Sequence, residues 1–326
     1  MLNMCKWTGV AAGVLAAVVM FASFGCTKGN KGPKGTKESP WIIGMSQCNE
    51  GEPWRAQMDK DLKATADKHD NIKLVIKDAQ NNVTTQQDQV REFITQKVDL
   101  LIISPKEATP LTPPVAEAMK AGIPVIVLDR EIDGDDYTCF IGGDNRVIGK
   151  AVGQYVAKVL NGKGKVVELK GLQTSVPSKD RHDGFIEGLG DKLGEGKIEI
   201  VYSADDEWLE NKARDDMKSA LAKCPDIDLV YGQNDPMAHG AWIAARDAKR
   251  EDKMKFVGID ALPNEGVQYV KQDVLTATFY YPTLGPEAIE TALKILKGDK
   301  VEKINKLPTK IFTKDNVDKG GEVVKP

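Results

Sequence analysis

Asp129 and Arg130 stand together at the end of Gly122–Arg130, GIPVIVLDR. The carboxylate offers two acceptor oxygens and the guanidinium a planar fork of donors. Side by side they suit a ligand whose groups both donate and accept, such as a vicinal diol. The plain alternative is a salt-bridged pair in a loop. Residues of the same kinds recur along the chain: Glu52, Trp54 and Arg55; Ser104; Asp144; Asp180 and Arg181; Trp208; Asn234 and Asp235; Asp260; and Tyr281. Such planar polar groups match sugar hydroxyls, each of which donates and accepts. A Trp face covers the C–H side of a sugar ring, so one Trp from each lobe would sandwich it. Singly, these residues have ordinary roles. A Trp packs in a core, and an Asp caps a helix, an objection that weighs most on Asp144 and Asp235. Their joint recurrence is the signal. No nucleophile elbow, HExxH motif or phosphate loop accompanies them.

Each candidate follows a short apolar run. Val125–Leu128 has no polar interruption, as a parallel strand covered on both faces requires. Before it, apolar runs at Trp41–Met45, Ile72–Asp78 and Leu100–Ser104 alternate with amphipathic stretches at Pro53–Lys68, Thr84–Gln96 and Leu111–Ala121. A short strand at Tyr137–Ile141 follows. The pattern then restarts with strands at Lys165–Leu169, Ile198–Tyr202, Leu229–Gly232, Lys255–Ile259 and Thr276–Tyr280, and helices that include Lys179–Leu189 and Glu207–Lys223. The tail has one further strand, Lys310–Thr313. The predicted class is α/β, with two doubly wound parallel-sheet lobes around a cleft. Ligands sit outside the carboxyl ends of such strands, where the candidates fall. Gly142-Gly143 fits a first crossing between lobes, because Gly absorbs torsional change at low steric cost. The 326 residues suit two domains.

The amino terminus reads as a targeting segment. Lys6 precedes the apolar stretch Val10–Phe24, and Ser23-Phe24-Gly25-Cys26 resembles a bacterial lipobox. This predicts a signal peptide over 1–25, a lipidated Cys26, and export to a periplasmic or cell-surface position. An uncleaved membrane anchor is the alternative. Residues 26–40 read as a flexible tether, because Lys28, Lys31, Lys34 and Lys37 are spaced by Gly, Asn and Pro. Net charge is −3, with no basic excess that would point to nucleic acid. Cys48, Cys139 and Cys224 are widely spaced without a CxxC, which argues against zinc and predicts no metal. They are read as small buried thiols, with a Cys48–Cys139 bridge as the other possibility.

From about Ile42 to Asn316 the chain resembles the periplasmic sugar-binding proteins of the ribose-binding type, the type I periplasmic binding proteins. Within that family it is most similar to the galactofuranose-binding proteins of bacterial ABC transporters. The resemblance rests on IGMSQ and PWR (Ile43–Gln47, Pro53–Arg55), PVIVLDR (Pro124–Arg130), GGDN (Gly142–Asn145), KDRHDGF (Lys179–Phe185), YGQND (Tyr231–Asp235) and GID (Gly258–Asp260). It implies residues 41–143 with 282–310 in one lobe, 144–281 with 311–326 in the other, and a multi-strand hinge. Trp54 and Trp208 fall where the family stacks aromatics on the ring. Arg55, Asp129, Arg130, Arg181, Asn234 and Asp260 fall where it hydrogen-bonds hydroxyls. Tyr280-Tyr281-Pro282 departs from relatives that carry Gln after the last strand, and Ser104 stands where ribose-type relatives often have Asn. These departures leave the hydroxyl pattern open.

The expected function is a monosaccharide-binding lipoprotein that closes its lobes on galactofuranose, fructose or a ribose-like sugar and delivers it to ABC permease subunits. No cofactor is expected. The protein is expected to be a monomer that touches the membrane only through its lipid. A receptor for a chemotaxis or kinase sensor is the alternative. A glycosidase is disfavoured, because each cleft acid has an Arg or Asn neighbour that would make it a poor general acid. A repressor would need an N-terminal helix-turn-helix where the leader and tether stand.

Overall fold

The computed structural model describes residues 33–325. The leader, Cys26 and the first part of the tether lie outside them. Its first half runs β1 (Trp41–Gln47), α1 (Pro53–Ala66), β2 (Ile72–Asp78), α2 (Val83–Gln96), β3 (Leu100–Ser104), α3 (Ala108–Lys120), β4 (Val125–Leu128) and β5 (Cys139–Gly143). The second half runs α4 (Asn145–Val159), β6 (Gly164–Lys170), α5 (Val176–Leu189), β7 (Ile198–Asp205), α6 (Glu210–Lys223), β8 (Leu229–Gly232), α7 (Asp235–Asp247), β9 (Lys255–Asp260), α8 (Gly266–Lys271) and β10 (Ala277–Tyr280). Then come α9 (Gly285–Leu296), β11 (Ile304–Leu307), β12 (Lys310–Thr313) and β13 (Glu322–Val323).

The strands form two sheets, ordered β11-β5-β4-β3-β1-β2 and β13-β12-β10-β9-β8-β6-β7. Pairing is parallel except where β12 and β13 close the second sheet. β3 and β4 are buried along their whole length, which explains why they read as unbroken Leu, Ile and Val. In the first lobe α1 packs with α9 and α2 with α3; in the second, α4 packs with α5 and α6 with α7. The chain passes between sheets after β5, after β10 and between β11 and β12.

Several boundaries differ from the sequence reading. Gly142 and Gly143 are the last residues of β5 rather than a free crossing, and the passage falls at Asp144. A Cβ on Gly143 would run into the Tyr281 ring, so packing rather than torsion excludes a side chain there. Helix α5 begins at Val176, not Lys179, because Pro177 can occupy the first turn. Trp208 lies in a turn before α6 rather than inside the helix. Strand β11 was not foreseen: INKL alternates exposed with half-buried residues and forms the sheet edge.

The tether reading also stops early. Lys34 pairs with Asp99 at 2.9 Å, Lys37 with Asp70 at 3.0 Å, and Gly35 lies against the Trp41 ring. Residues 33–39 thus turn back onto the first sheet. Cys48 and Cys139 are buried free thiols, so no bridge joins them. Among the described residues no helix is long and apolar enough to cross a membrane, and no cluster could hold a metal ion.

Candidate functional site

Helix α1 starts at Pro53, after the short loop that follows Gln47 at the end of β1. That start turns Trp54 and Arg55 inward over the strand ends. The Arg55 guanidinium is buried and spans three strands. Its Nη1 donates to Gln47 Oε1 at 3.1 Å and to Ser104 Oγ at 2.9 Å, and its Nη2 donates to Asp129 Oδ2 at 2.8 Å. Asp129 receives a second bond at Oδ1 from the Tyr281 hydroxyl at 2.9 Å. Trp54 Nε1 donates to the Tyr281 carbonyl at 3.0 Å, and the two rings lie 5.0 Å apart. Arg130 Nη1 donates to the Lys106 carbonyl at 3.0 Å.

The second lobe contributes Arg181 from α5. Helices α4 and α5 cross at backbone contact: a Cβ on Gly149 would strike the Arg181 carbonyl, and one on Gly184 the Arg146 carbonyl. This close crossing fixes Arg181, whose Nε donates to Asn145 Oδ1 at 2.9 Å and whose Nη1 donates to the Gln233 carbonyl at 2.5 Å. The guanidinium lies 5.2 Å from the Trp208 ring centre and 4.8 Å from that of Tyr281. Asn234 Nδ2 donates to the Trp208 carbonyl at 3.1 Å, holding that turn against α7. Trp208 Nε1 is buried without a hydrogen-bond partner among the described residues.

These residues line a narrow cavity between the sheets. Glu52, Trp54, Arg55, Asp129 and Arg130 line it from the first lobe. Arg181, Trp208, Asn234 and Asp260 face them from the second, and Tyr281 follows β10. Pro177 also lines it and was not singled out in the sequence, where nothing separates it from any other helix-starting proline. Three of the lining residues have positive φ without being Gly: Asp129 at 68°, Trp208 at 73° and Asp260 at 123°. Such backbone is costly for a side-chain-bearing residue and clusters at ligand sites.

Four of the sequence-predicted residues are not in the cavity wall. Ser104 lies beneath Arg55 and serves only to hold it. Asp144 caps α4 by accepting from the Val147 N–H at 3.2 Å. Asp180, half-buried on α5 and one residue from Arg181, does not line the cavity. Asp235 is encased: it accepts from the Ala261 N–H at 2.7 Å and the Thr278 hydroxyl at 2.6 Å, between Gly258 and Gly266. Sequence reasoning did not single out Gln47, Asn145 and Gln233, which position the two arginines, although each lies in a motif that carries the family resemblance, IGMSQ, GGDN and YGQND.

Burial raises the Asp129 carboxyl, but Arg55, Arg130 and the Tyr281 hydroxyl outweigh it and hold the group below the ordinary carboxylate value. Asp260 goes the other way. Burial pushes it well above that value; Arg181 opposes the rise and Asp235 adds to it. Asp235 itself is pushed up to about 8 by burial, against the bonds from Thr278 and Ala261. The Tyr281 phenol is raised by burial and by Asp129, so it remains a hydrogen-bond donor.

A family model for the periplasmic binding protein domain matches residues 43–300. The chain belongs to that family. The ribose import binding protein of Salmonella typhimurium is 33% identical over 231 residues, 70% of this chain and 76% of that protein. The galactofuranose-binding protein of Escherichia coli is 30% identical over 287 residues, 85% and 89% of the two chains. Among solved structures, the fructose-binding periplasmic domain of a hybrid two-component system is 40% identical with a TM-score of 0.82, covering 86% of this chain and 93% of that domain. A galactofuranose-binding protein superposes with a TM-score of 0.80 at 29% identity, covering 86% and 97%. Members of the periplasmic binding protein family bind solutes outside the cytoplasm and are not enzymes.

Proposed function

We propose that this protein binds a monosaccharide in the cavity between its lobes and releases it unchanged. The observation that carries this reading is the wall itself. Arg55, Asp129, Arg181 and Asp260 converge from both lobes with Trp54, Trp208 and Tyr281 between them. Charged forks and carboxylates bond hydroxyls strongly in a site shut off from water. Aromatic faces take the apolar side of the ring. Contacts from both lobes favour the closed state when ligand is present. Residues 41–143 with 282–310 would move against 144–281 with 311–326. The names of the relatives put ribose, galactofuranose and fructose first among candidates.

Delivery to an ABC permease, by a monomer tethered through a lipid on Cys26, is the reading we favour for its cellular role. A sensor role is the second reading, supported by the 40% identity to the fructose-binding domain of a two-component system. A thermal-shift screen over D-fructose, D-ribose, D-galactose and L-arabinose tests the binding proposal, because a ligand that binds only the folded state raises the melting point. No shift with any saccharide would overturn it. Membrane association of wild type but not of Cys26→Ser on expression in a bacterium would support the lipid anchor; equal association of both would contradict it.

A further inference from the structure

The monosaccharide cavity is not the whole cleft. Beyond Glu52, Arg130 and Trp208, which line both spaces, lies a wider outer chamber that opens to solvent. It too is walled by both lobes: the turn at Gln80–Asn81 on one side and the turn at Glu207–Trp208 on the other. Both turns hold consecutive residues other than Gly in left-handed backbone, with φ of 52° and 59° at Gln80 and Asn81 and 52° and 73° at Glu207 and Trp208. Left-handed backbone at a residue with a side chain is unfavourable and persists where surrounding structure imposes it.

The imposing contacts are visible. The Asn81 N–H donates to the Cys48 carbonyl at 2.8 Å, and the Asn81 carbonyl accepts from Lys106 Nζ at 2.9 Å. The backbone is thus tied at both ends. The side-chain amides of Gln80 and Asn81 make no hydrogen bond among the described residues, and both residues are exposed at the chamber. Arg130, 4% exposed and bonded through Nη1 to Lys106, stands at the passage with its Nη2 unbonded among the described residues. The remaining wall mixes apolar Leu172 and Leu209 with carboxylates.

Charge narrows what fits. The chamber's carboxylates are Glu50, Glu52, Asp78 and Glu207, against Lys106 and Arg130. An excess of acid disfavours a phosphate or carboxylate substituent. Free amides and apolar patches suit a second neutral, hydroxyl-bearing ring.

We infer that the cleft takes a neutral disaccharide, with one ring in the inner cavity and the second ring in the chamber between Gln80–Asn81 and Glu207–Trp208. The inference rests on the sugar-binding reading above and extends its ligand class.

Calorimetry on the full chain tests it with matched pairs: D-fructose against inulobiose and levanbiose, and D-galactose against a galactofuranosyl disaccharide. Gains of about threefold or more in affinity for at least one disaccharide over its own monosaccharide are expected. In Gln80→Ala and Asn81→Gly, the latter keeping left-handed backbone accessible, that gain should disappear while monosaccharide affinity stays within about twofold. A monosaccharide that binds while no disaccharide gains about threefold overturns the inference and leaves the sugar-binding reading standing. A gain that survives both substitutions also overturns it, since the second ring would then lie elsewhere. Binding of no saccharide of either size overturns the underlying reading instead.

Discussion

The two walls of the inner cavity are built on different plans. In the first lobe most polar atoms are bonded: Arg55 to Gln47, Ser104 and Asp129, and Asp129 to Arg55 and Tyr281, while Arg55 Nε and Arg130 Nη2 make no hydrogen bond among the described residues. In the second lobe, among the described residues, Asp260 accepts no side-chain hydrogen bond and Trp208 Nε1 has no hydrogen-bond partner. The acids follow suit, with Asp129 held below the ordinary carboxylate value and Asp260 pushed well above it. The first wall is assembled before ligand arrives; the second holds groups whose partners the ligand must supply. A buried polar group left unbonded costs on the order of 1–3 kcal/mol, so bonding to these groups adds to affinity.

Removing the acid from each wall should therefore have opposite effects on stability. Asp129→Ala strands a buried guanidinium, and we expect it to lose about 3–5 kcal/mol of folding stability as well as all detectable sugar binding. Denaturant unfolding and calorimetry measure the two; unchanged stability would show that the first wall is not preassembled. Asp260→Asn should abolish or strongly weaken binding while leaving the unfolding midpoint equal or higher, because it removes a buried carboxyl that resists ionisation. A lower midpoint would break the contrast between walls.

Trp208→Ala comes next, with an expected loss of about 2 kcal/mol of sugar affinity, as for a buried aromatic anchor. Unchanged affinity in that variant would remove ring stacking from the account.

The pH dependence separates the walls without removing ligand contacts. Asp260 keeps its proton in the folded chain at pH values where the unfolded chain has lost it. Its contribution to stability therefore declines as pH rises from the ordinary carboxyl value, about 4, towards its raised folded value. Asp129 works in reverse: it stabilises above the ordinary value, and that stabilisation is lost as pH falls through its lowered one. The melting point of wild type relative to Asp260→Asn should thus fall as pH rises above the ordinary carboxyl value of about 4. A constant difference would contradict the raised state of Asp260. The smallest effect belongs to Asp144→Ala, which should cost about 1 kcal/mol of stability through the lost helix cap and leave sugar affinity unaltered. A large fall in affinity would return Asp144 to the binding wall.

Much of this arrangement is legible in the sequence, for a physical reason. Strands buried on both faces must be continuous Leu, Ile and Val, so Val125–Leu128 and Leu100–Ser104 announce themselves. In a parallel sheet the residues after such runs share one edge. That is enough to bring Arg55, Asp129, Asn234 and Asp260 together. The same rule fails to say which way each side chain turns. Asp235 follows a strand as surely as Asp129 does, yet Thr278 and the Ala261 N–H enclose it. Asp180 and Arg181 are neighbours in sequence, but one residue on a helix is a rotation of about 100°, and only Arg181 reaches the cavity. Edge strand β11 left no signal because a half-exposed edge needs no apolar run. Gln47 and Gln233 lie in motifs that carry the family resemblance, yet their role is not legible there, because a residue that positions an arginine through one amide or carbonyl looks like any other polar residue.

The central claim is that both walls grip one sugar. Calorimetric titration of wild type, Asp129→Asn and Asp260→Asn with the saccharide that gives the largest thermal shift tests it most directly. We predict a single site in wild type, affinity reduced by about a hundredfold or more in Asp129→Asn, in keeping with a lost hydrogen bond to a charged group at a desolvated site, and by about tenfold or more in Asp260→Asn, whose amide cannot reproduce the bonds of a protonated carboxyl. Wild-type affinity in either variant would mean that the ligand is held elsewhere.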